Sequence, residues 1–174
     1  MSFIELKHNM EVAHRLYNLP GKCQKIHGHS MVVTLRVHGE IKPGGILHGF
    51  LGQQFEFGAM KKSFRSYLDD HYDHQLLLNK VDPWAGPIFQ LKSDYSQSVD
   101  GDPAAYLLDS TQKFLPGLVP CEEDPTTENI AKWIAEKMCE MFDAHVEVFV
   151  QETATNGVGV FASRLPLHEG VVVQ

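Results

Sequence analysis

Residues 26–40, IHGHSMVVTLRVHGE, alternate between apolar and polar side chains over most of their length. A period of two is typical of a β-strand with one buried face, because successive side chains point to opposite sides. Two histidines open the apolar row of this strand. The residues predicted to share the buried face are His27, His29, Met31, Val33, Leu35 and Val37.

A second strand is predicted before this one, from Ile4 to His14. The turn signals Asn18, Pro20 and Gly21 separate the two strands. Parity places His8 and His14 on the same side as the apolar residues. Those apolar residues are Ile4, Leu6, Met10 and Val12.

Two helices are predicted further along the chain. The Gly-rich residues 42–52 indicate a loop before a helix that starts near Phe57. Asp124-Pro125-Thr126-Thr127-Glu128 is typical of a helix start, since Asp or Thr can cap free amides. The predicted apolar stripes are Met60, Phe64, Tyr67, Leu68 and His71 in the first helix, and Ile130, Trp133, Ile134, Met138 and Met141 or Phe142 in the second.

The chain closes with a predicted hairpin, in which residues 146–152 alternate, residues 155–157 turn and residues 158–162 return. Residues 81–124 are rich in Pro, Ser, Asp and Gly, and predict an insertion with one short helical possibility at 104–114. The order of elements predicts one α+β domain over residues 1–174, with a four-stranded antiparallel sheet and two helices packed on one face.

Composition narrows the class of protein. A formal net charge of -7 argues against a nucleic-acid partner, because phosphate contacts need clustered Lys and Arg. The N-terminal residues lack the apolar core of a secretory signal, and no stretch is long enough to span a bilayer. The three cysteines are odd in number and widely spaced. We therefore expect a cytoplasmic protein with a free thiol and no membrane partner.

The histidine pair that opens the second strand indicates a metal site. Residues two apart in a strand point the same way, so His27 and His29 can present two imidazoles to one ion. His14 on the neighbouring strand is the best placed third ligand. Three histidines would leave one position of a tetrahedral zinc open, as in catalytic sites. The alternative interpretation is three ordinary half-buried histidines.

Four further positions contain residues that could act in catalysis or in ligand binding. Cys23 follows Lys22, whose charge would favour the thiolate, although Cys23 could also be a fourth zinc ligand or a passive buried thiol. Asp70-His71 and Asp73-His74 each pair a carboxylate with an imidazole, and the pattern alone does not separate them. Glu152 ends an apolar row and could accept adjacent N–H donors of a flat ligand, or reach solvent as a strand-end charge.

In chain order, these motifs resemble the 6-pyruvoyltetrahydropterin synthase family. The resemblance covers both ends of the chain and lacks only the middle segment. It rests on Ala13-His14, Lys22-Cys23, Ile26-His27-Gly28-His29, Phe55-Glu56-Phe57-Gly58, Asp73-His74, Pro125-Thr126-Thr127-Glu128-Asn129 and Glu152-Thr153.

The resemblance implies the tunnelling fold, assembled into an oligomeric barrel that is usually a hexamer of two trimers, with active sites between subunits. It also implies roles for individual residues. Cys23 would be the base, Asp73 and His74 would support proton transfer, and Asp73-His74 is preferred because it directly precedes the leucine-rich residues 75–79. His14, His27 and His29 would bind Zn²⁺, and Glu152 would anchor the pterin with Thr127 and Glu128 close to it.

The short gap between Cys23 and His27 resembles the 6-carboxytetrahydropterin synthases of queuosine biosynthesis. The implied reaction converts 7,8-dihydroneopterin triphosphate to 6-carboxy-5,6,7,8-tetrahydropterin, with release of acetaldehyde and triphosphate. Three features depart from the family pattern: Glu56 in place of Asp, Gln53-Gln54 in place of apolar residues, and the segment 81–124.

Two other functions are compatible with the same residues. A pyruvoyltetrahydropterin synthase would eliminate triphosphate and keep the side-chain carbons. A non-catalytic, zinc-stabilised pterin-binding module would use Cys23 to close the coordination of the metal.

Overall fold

The computed structural model describes residues 2–85 and 118–163. In these two ranges a seven-stranded sheet carries two α-helices, α1 (Phe57–His71) and α2 (Thr127–Phe142). The strands are β1 (Ser2–His14), β2 (His27–Ile41), β3 (Leu47–His48), β4 (Gln75–Asn79), β5 (Leu118–Cys121), β6 (Val146–Gln151) and β7 (Gly157–Ala162). No helix among these residues is both long enough and apolar enough to cross a bilayer.

The strand order is β5-β4-β1-β2-β6-β7, and β3 pairs with the end of β2. The four predicted strands, β1, β2, β6 and β7, are joined by antiparallel pairs, and the short β3 also pairs antiparallel with β2. The predicted α+β fold is therefore confirmed, with two helices on one face. The sheet also contains parallel pairs, because β4 runs parallel to both β1 and β5.

Three short strands were not predicted. The run Leu76-Leu77-Leu78 in β4 is continuously apolar, which is typical of a parallel strand and hides the alternation used to find the others. β5 lies inside the predicted insertion and contains Pro120, which an edge strand tolerates. β3 lies in the predicted loop 42–52 and is too short to leave a pattern. The helical possibility at 104–114 lies outside the described residues, and the single-domain boundaries remain a prediction.

One face of the sheet forms the core with both helices. Cross-strand partners such as Leu6 with Leu35 and Met10 with Met31 are buried on this face. The predicted stripes are confirmed except at their ends, where His71 is exposed and Phe142, not Met141, packs against the core. The helix residues buried in the core are Met60, Phe64, Leu68, Ile130, Ala131, Ile134, Ala135, Met138 and Cys139.

The two departures from the family pattern near residue 55 have structural roles. The Glu56 carboxylate caps α1 by accepting hydrogen bonds from the amides of Gly58 and Ala59. These amide bonds, above all the one from Gly58, lower the pKa of Glu56. Gln53 Nε2 lies 3.2 Å and 2.7 Å from the carbonyls of Phe142 and Asp143, at the C-terminal end of α2. Each residue thus satisfies backbone groups that a helix end leaves open.

Candidate metal centre

The three predicted ligand histidines converge where β1 ends and β2 begins. His14 and His27 are direct cross-strand partners, and His29 follows two residues later on the same face. One ring nitrogen of each histidine lies within 4.8 Å of the others. Gly28, between the two β2 histidines, lets the strands approach closely, since an added Cβ would lie 3.3 Å from the carbonyl of Val12. The register of β1 against β2 therefore brings the three rings together.

Backbone carbonyls orient two of the rings. His14 Nδ1 lies 2.7 Å from the carbonyl oxygen of Pro125, and His27 Nδ1 lies 2.7 Å from that of Lys25. A carbonyl can only accept, so these partners assign the proton to Nδ1 and leave the Nε2 lone pair available. The two Nε2 atoms are 3.1 Å apart. Two lone pairs at this distance repel each other, and a shared cation would turn the repulsion into attraction.

His14 is kept in the neutral form that a metal needs. Its side chain is fully buried, and this burial lowers its pKa, with further lowering from His27 and His29. The bond to Pro125 and the charge of Glu152 act in the opposite direction and are weaker than burial. Neutral imidazole held by a carbonyl is the usual arrangement of a metal-binding histidine.

Glu152 lies beside the histidine cluster. Its Oε1 is 3.7 Å from His29 Nε2 and 4.0 Å from His14 Nε2. The hydroxyl of Thr127, at the start of α2, donates to the same oxygen over 2.7 Å. The interpretation as a charge that simply reaches solvent does not fit these contacts. Glu128 is exposed on the first turn of α2, which Thr126 caps by accepting from the amide of Asn129.

Cys23 lies in a short 3-10 turn, Lys22–Gln24, and its side chain is exposed. A passive buried thiol is therefore excluded for Cys23, whereas Cys121 and Cys139 are buried. In the part of the chain that the structure describes, the group able to hold a metal contains the three histidines and not Cys23. Its role as a base remains a prediction.

The Asp73-His74 pair is rigidly built at the start of β4. Asp73 Oδ2 lies 2.7 Å from His74 Nδ1, and Asp73 Oδ1 accepts from the Glu11 amide over 2.7 Å. His74 adopts a left-handed backbone conformation, with φ 58°, and its amide donates to the Glu11 carbonyl. The Glu11 amide, followed by His74, lowers the pKa of Asp73 despite some opposing desolvation.

The competing pair has a simpler environment. Asp70 and His71 are exposed in the last turn of α1, and His71 Nδ1 lies 2.9 Å from the Tyr67 carbonyl. This is a local helix-end contact and does not join His71 to Asp70. The geometry therefore favours Asp73-His74 as the proton-transfer pair, a role that remains a prediction.

His74 lies outside the histidine cluster. Its side chain is 79% exposed and lines an open groove of about 570 Å³. Glu11, Ala13, Gly28 and Ser30 line the same groove and alternate in β1 and β2 with the core-facing residues, and Val12 and His29 border it as well. His14 and His27 do not line the groove, so His74 lies apart from these two histidines of its own chain.

One feature of the site was missed from sequence. Arg15, Asp82 and Asp124 are charged yet buried behind the Cys23 turn. Arg15 and Asp82 are 67 residues apart in the chain, so no local pattern links them. Asp124 was interpreted as a possible helix cap, but its carboxylate binds Asn18 and Asn79 instead.

Comparisons with known proteins identify the family of the chain. The family model for 6-pyruvoyl tetrahydropterin synthase matches residues 3–162. A Rickettsia bellii protein named 6-carboxy-5,6,7,8-tetrahydropterin synthase is 26% identical over 70% of this chain and 68% of its own length. A Rickettsia felis protein of the same name is 28% identical over 44% of this chain, and the match spans about half of that protein, 51%.

The fold also has solved counterparts. The structure of Caenorhabditis elegans 6-pyruvoyl tetrahydropterin synthase is 20% identical, covers 93% of this chain and 96% of that chain, and superposes with a TM-score of 0.56. This likeness concerns the fold alone. With a family model matched over almost all of the described residues and a convergent histidine triad, the chain belongs to the 6-pyruvoyl tetrahydropterin synthase family.

Proposed function

We propose that this chain is a zinc-dependent lyase that converts 7,8-dihydroneopterin triphosphate and one water molecule to 6-carboxy-5,6,7,8-tetrahydropterin, releasing acetaldehyde and triphosphate. The observation that carries the proposal is the His14, His27 and His29 cluster beside Glu152 in a member of this family. The names of the Rickettsia relatives support the carboxylated product. The reaction would serve queuosine biosynthesis in the cytoplasm.

The donor set of the cluster fits zinc. Two nitrogens bound tetrahedrally at about 2.0–2.1 Å from one zinc lie about 3.3 Å apart. The Nε2 atoms of His14 and His27 are 3.1 Å apart before any ion is considered. A bound zinc would act as a Lewis acid that acidifies hydroxyl groups of the substrate side chain.

Glu152 and Thr127 would hold the flat end of the substrate. The amino-pyrimidine ring of a pterin presents adjacent N–H donors, and a carboxylate can accept both. The Thr127 hydroxyl fixes one carboxylate oxygen of Glu152, which reduces the entropy lost when the ligand binds. Glu128, in the next position of α2, would lie at the rim of this subsite.

Cys23 would remove protons from the bound substrate, and the Asp73-His74 pair would return them. Asp73 accepts a hydrogen bond from the Glu11 amide and contacts His74 Nδ1. These contacts orient the pair before substrate binds. His74 does not belong to the histidine cluster of its own chain, and the family resemblance implies sites between subunits, so we place His74 in the site of a neighbouring copy. This requires a homo-oligomer, for which the family resemblance suggests a hexamer of two trimers.

The decisive experiment is incubation of zinc-loaded protein with 7,8-dihydroneopterin triphosphate, followed by mass analysis. We expect 6-carboxy-5,6,7,8-tetrahydropterin together with an equal amount of acetaldehyde. A pyruvoyl product without acetaldehyde would instead establish a pyruvoyltetrahydropterin synthase.

Cys23→Ala separates the enzyme from a zinc-stabilised binding module. If Cys23 is the base, the variant retains zinc and loses turnover. If Cys23 closes the metal coordination, the variant loses zinc affinity, and the catalytic proposal is wrong. Cys121→Ala is unsuitable as the control because Cys121 is buried, so Lys62→Gln at an exposed position of α1 serves instead.

A further inference from the structure

A buried ion pair joins the root of the long 81–124 segment to the turn that carries Cys23. Arg15 Nη1 contacts Asp82 Oδ2, and the side chain of Asp82 is completely buried. Arg15 Nε also donates to the carbonyl of Gln24 over 2.6 Å. One guanidinium therefore bridges the residue after Cys23 and the first residues beyond β4.

Aromatic contacts and main-chain bonds hold this bridge. The Arg15 guanidinium lies 4.4 Å from the ring centroid of Trp84. The Trp84 amide donates to Asp82 Oδ1, and the Ala85 amide donates to the Asp82 carbonyl, so residues 82–85 form a turn around Asp82. The turn has a defined shape before Arg15 reaches it.

The Cys23 turn is attached to the sheet at the same place. The Leu16 amide donates to the Cys23 carbonyl over 2.9 Å, directly after Arg15 in the chain. A second anchor lies close by, where the Asn18 amide and side chain both donate to the Asp124 carboxylate. Asn79, at the end of β4, donates to Asp124 as well. The thiol itself is exposed, so its position depends on the backbone behind it.

We infer that Arg15 and Asp82 are positioning residues that fix the Cys23 turn relative to the metal histidines. His14 adjoins Arg15, and the Gln24 carbonyl that Arg15 holds lies three residues before His27. A shift of this bridge therefore moves Cys23 relative to His14 and His27. The catalytic part of this inference rests on the proposed function; the mechanical part does not. The segment that departs most from the family pattern would thus contribute to the site through its first residues.

Arg15→Lys is the sharpest test. Lysine keeps a positive charge beside Asp82, so no buried carboxylate is left unpaired. The single ammonium group of lysine cannot reproduce the planar guanidinium geometry with which Arg15 contacts both the Gln24 carbonyl and the Asp82 carboxylate. We expect hydrogen exchange of the Leu16 amide to accelerate about tenfold, while the amide of Met31 in β2 exchanges at its original rate.

Turnover supplies the readout that a merely structural role would not change. We expect kcat for 7,8-dihydroneopterin triphosphate to fall about tenfold, with KM within about twofold and zinc content unchanged. Arg36→Lys is the matched control, because Arg36 also bridges two acidic groups, Glu5 and Glu147, but lies on the open face of the sheet. This control should match the parent in every measurement.

Asp82→Asn provides a second variant, with the exposed Glu122→Gln as its control. Unchanged Leu16 exchange in both Arg15→Lys and Asp82→Asn would overturn the inference. So would a parallel loss of zinc and kcat, because the bridge would then serve the metal and not the thiol. If the parent protein lacks the proposed turnover, the proposed function fails, and the exchange of Leu16 alone decides whether the bridge holds the turn.

Discussion

The histidine cluster of β1 and β2 and the Asp73-His74 pair before β4 both contact β1 and yet differ in burial and in the groups that orient them. The cluster lies on the core side, with His14 fully buried and two rings fixed by backbone carbonyls. The pair lies at an open groove, with His74 mostly exposed. One chain brings the three cluster histidines together, whereas among the described residues His74 has Asp73 as its side-chain partner.

Burial of His14 in the histidine cluster and exposure of His74 suit the two groups to different chemistry. Burial favours neutral imidazole, which a metal needs, and lowers the pKa of His14. Exposure leaves His74 accessible to a substrate, and the Glu11 amide favours the ionised form of Asp73 by lowering its pKa. The histidine cluster thus suits metal binding, and the Asp73-His74 pair suits proton transfer.

The largest effect is expected from His27→Ala, which removes a half-buried ligand without emptying the core. Zinc content should fall from about one per chain to nearly none, and turnover should fall about a thousandfold, since Lewis-acid stabilisation is worth several kcal/mol. Metal analysis and steady-state kinetics give both values. The exposed His71→Asn is the control, and zinc retention in His27→Ala would show that the cluster is not the metal site.

His74→Asn should reduce kcat about a hundredfold or more, as expected for loss of a general acid or base. Zinc content and the urea midpoint of unfolding should not change, because His74 is exposed. His71→Asn distinguishes the two Asp-His pairs under the same assay. Equal losses of kcat in the two variants would remove the preference for Asp73-His74.

Mixed oligomers test whether the histidine cluster of one chain and His74 of a neighbouring chain form one site. His29→Ala retains His74, and His74→Asn retains the metal cluster, so each variant alone should be inactive. Random co-assembly of equal amounts should restore about one quarter of the parent activity, because a site needs one intact contribution from each of two chains. Co-expression with different tags gives the mixed species. If a site used both groups of one chain, mixing would restore nothing.

Thr127→Val should raise KM about tenfold with little change in kcat or zinc content. The variant removes the hydroxyl that fixes Glu152 Oε1 and leaves a carboxylate with less defined orientation. Thr153→Val is the control, because Thr153 bonds only within the exposed turn before β7 in the contacts described. A fall in kcat at constant KM would place Thr127 with the proton-transfer groups.

The smallest effect concerns pH and the stability of the exposed pair. The pKa of Asp73 is lowered from its ordinary 3.8, so its charged form stabilises the fold above that value. This contribution is lost as pH falls through the lowered pKa. The urea midpoints of the parent and Asp73→Asn should therefore differ at pH 7 and converge as the pH falls below 3.8. A pH-independent gap between the two midpoints would contradict the linkage.

The parts of the molecule that were predictable from sequence share one property. Apolar and polar side chains alternate over about a dozen residues in β1 and β2, and α2 places Ile130, Ile134 and Met138 at helical spacing. Each pattern is long enough to be distinguished from a chance arrangement. The three histidines followed from the same parity. β4 was missed because Leu76-Leu77-Leu78 has no alternation, although a continuous apolar run is itself typical of a parallel strand.

The remaining features depend on residues that meet only after folding. No spacing connects Arg15 with Asp82, or Asn18 with Asp124, since each pair is joined by sheet topology and not by sequence distance. The face that His74 occupies could not be predicted either, because it depends on the left-handed conformation of His74 and its bonds to Glu11. Local pattern pointed to the three histidines that could hold a metal, and tertiary packing determined their relation to the other groups.

The parallel pairing of β4 with β5 has a consequence for anyone who wishes to shorten this protein. A tight reverse turn joins antiparallel neighbours only, so it could not replace residues 86–117 and preserve the pairing of Leu76 with Leu118. A replacement segment would have to run back from the end of β4 and enter β5 at the edge of the sheet where β4 begins. The minimal domain is therefore bounded by topology, and loop trimming must respect a crossover of roughly a dozen residues.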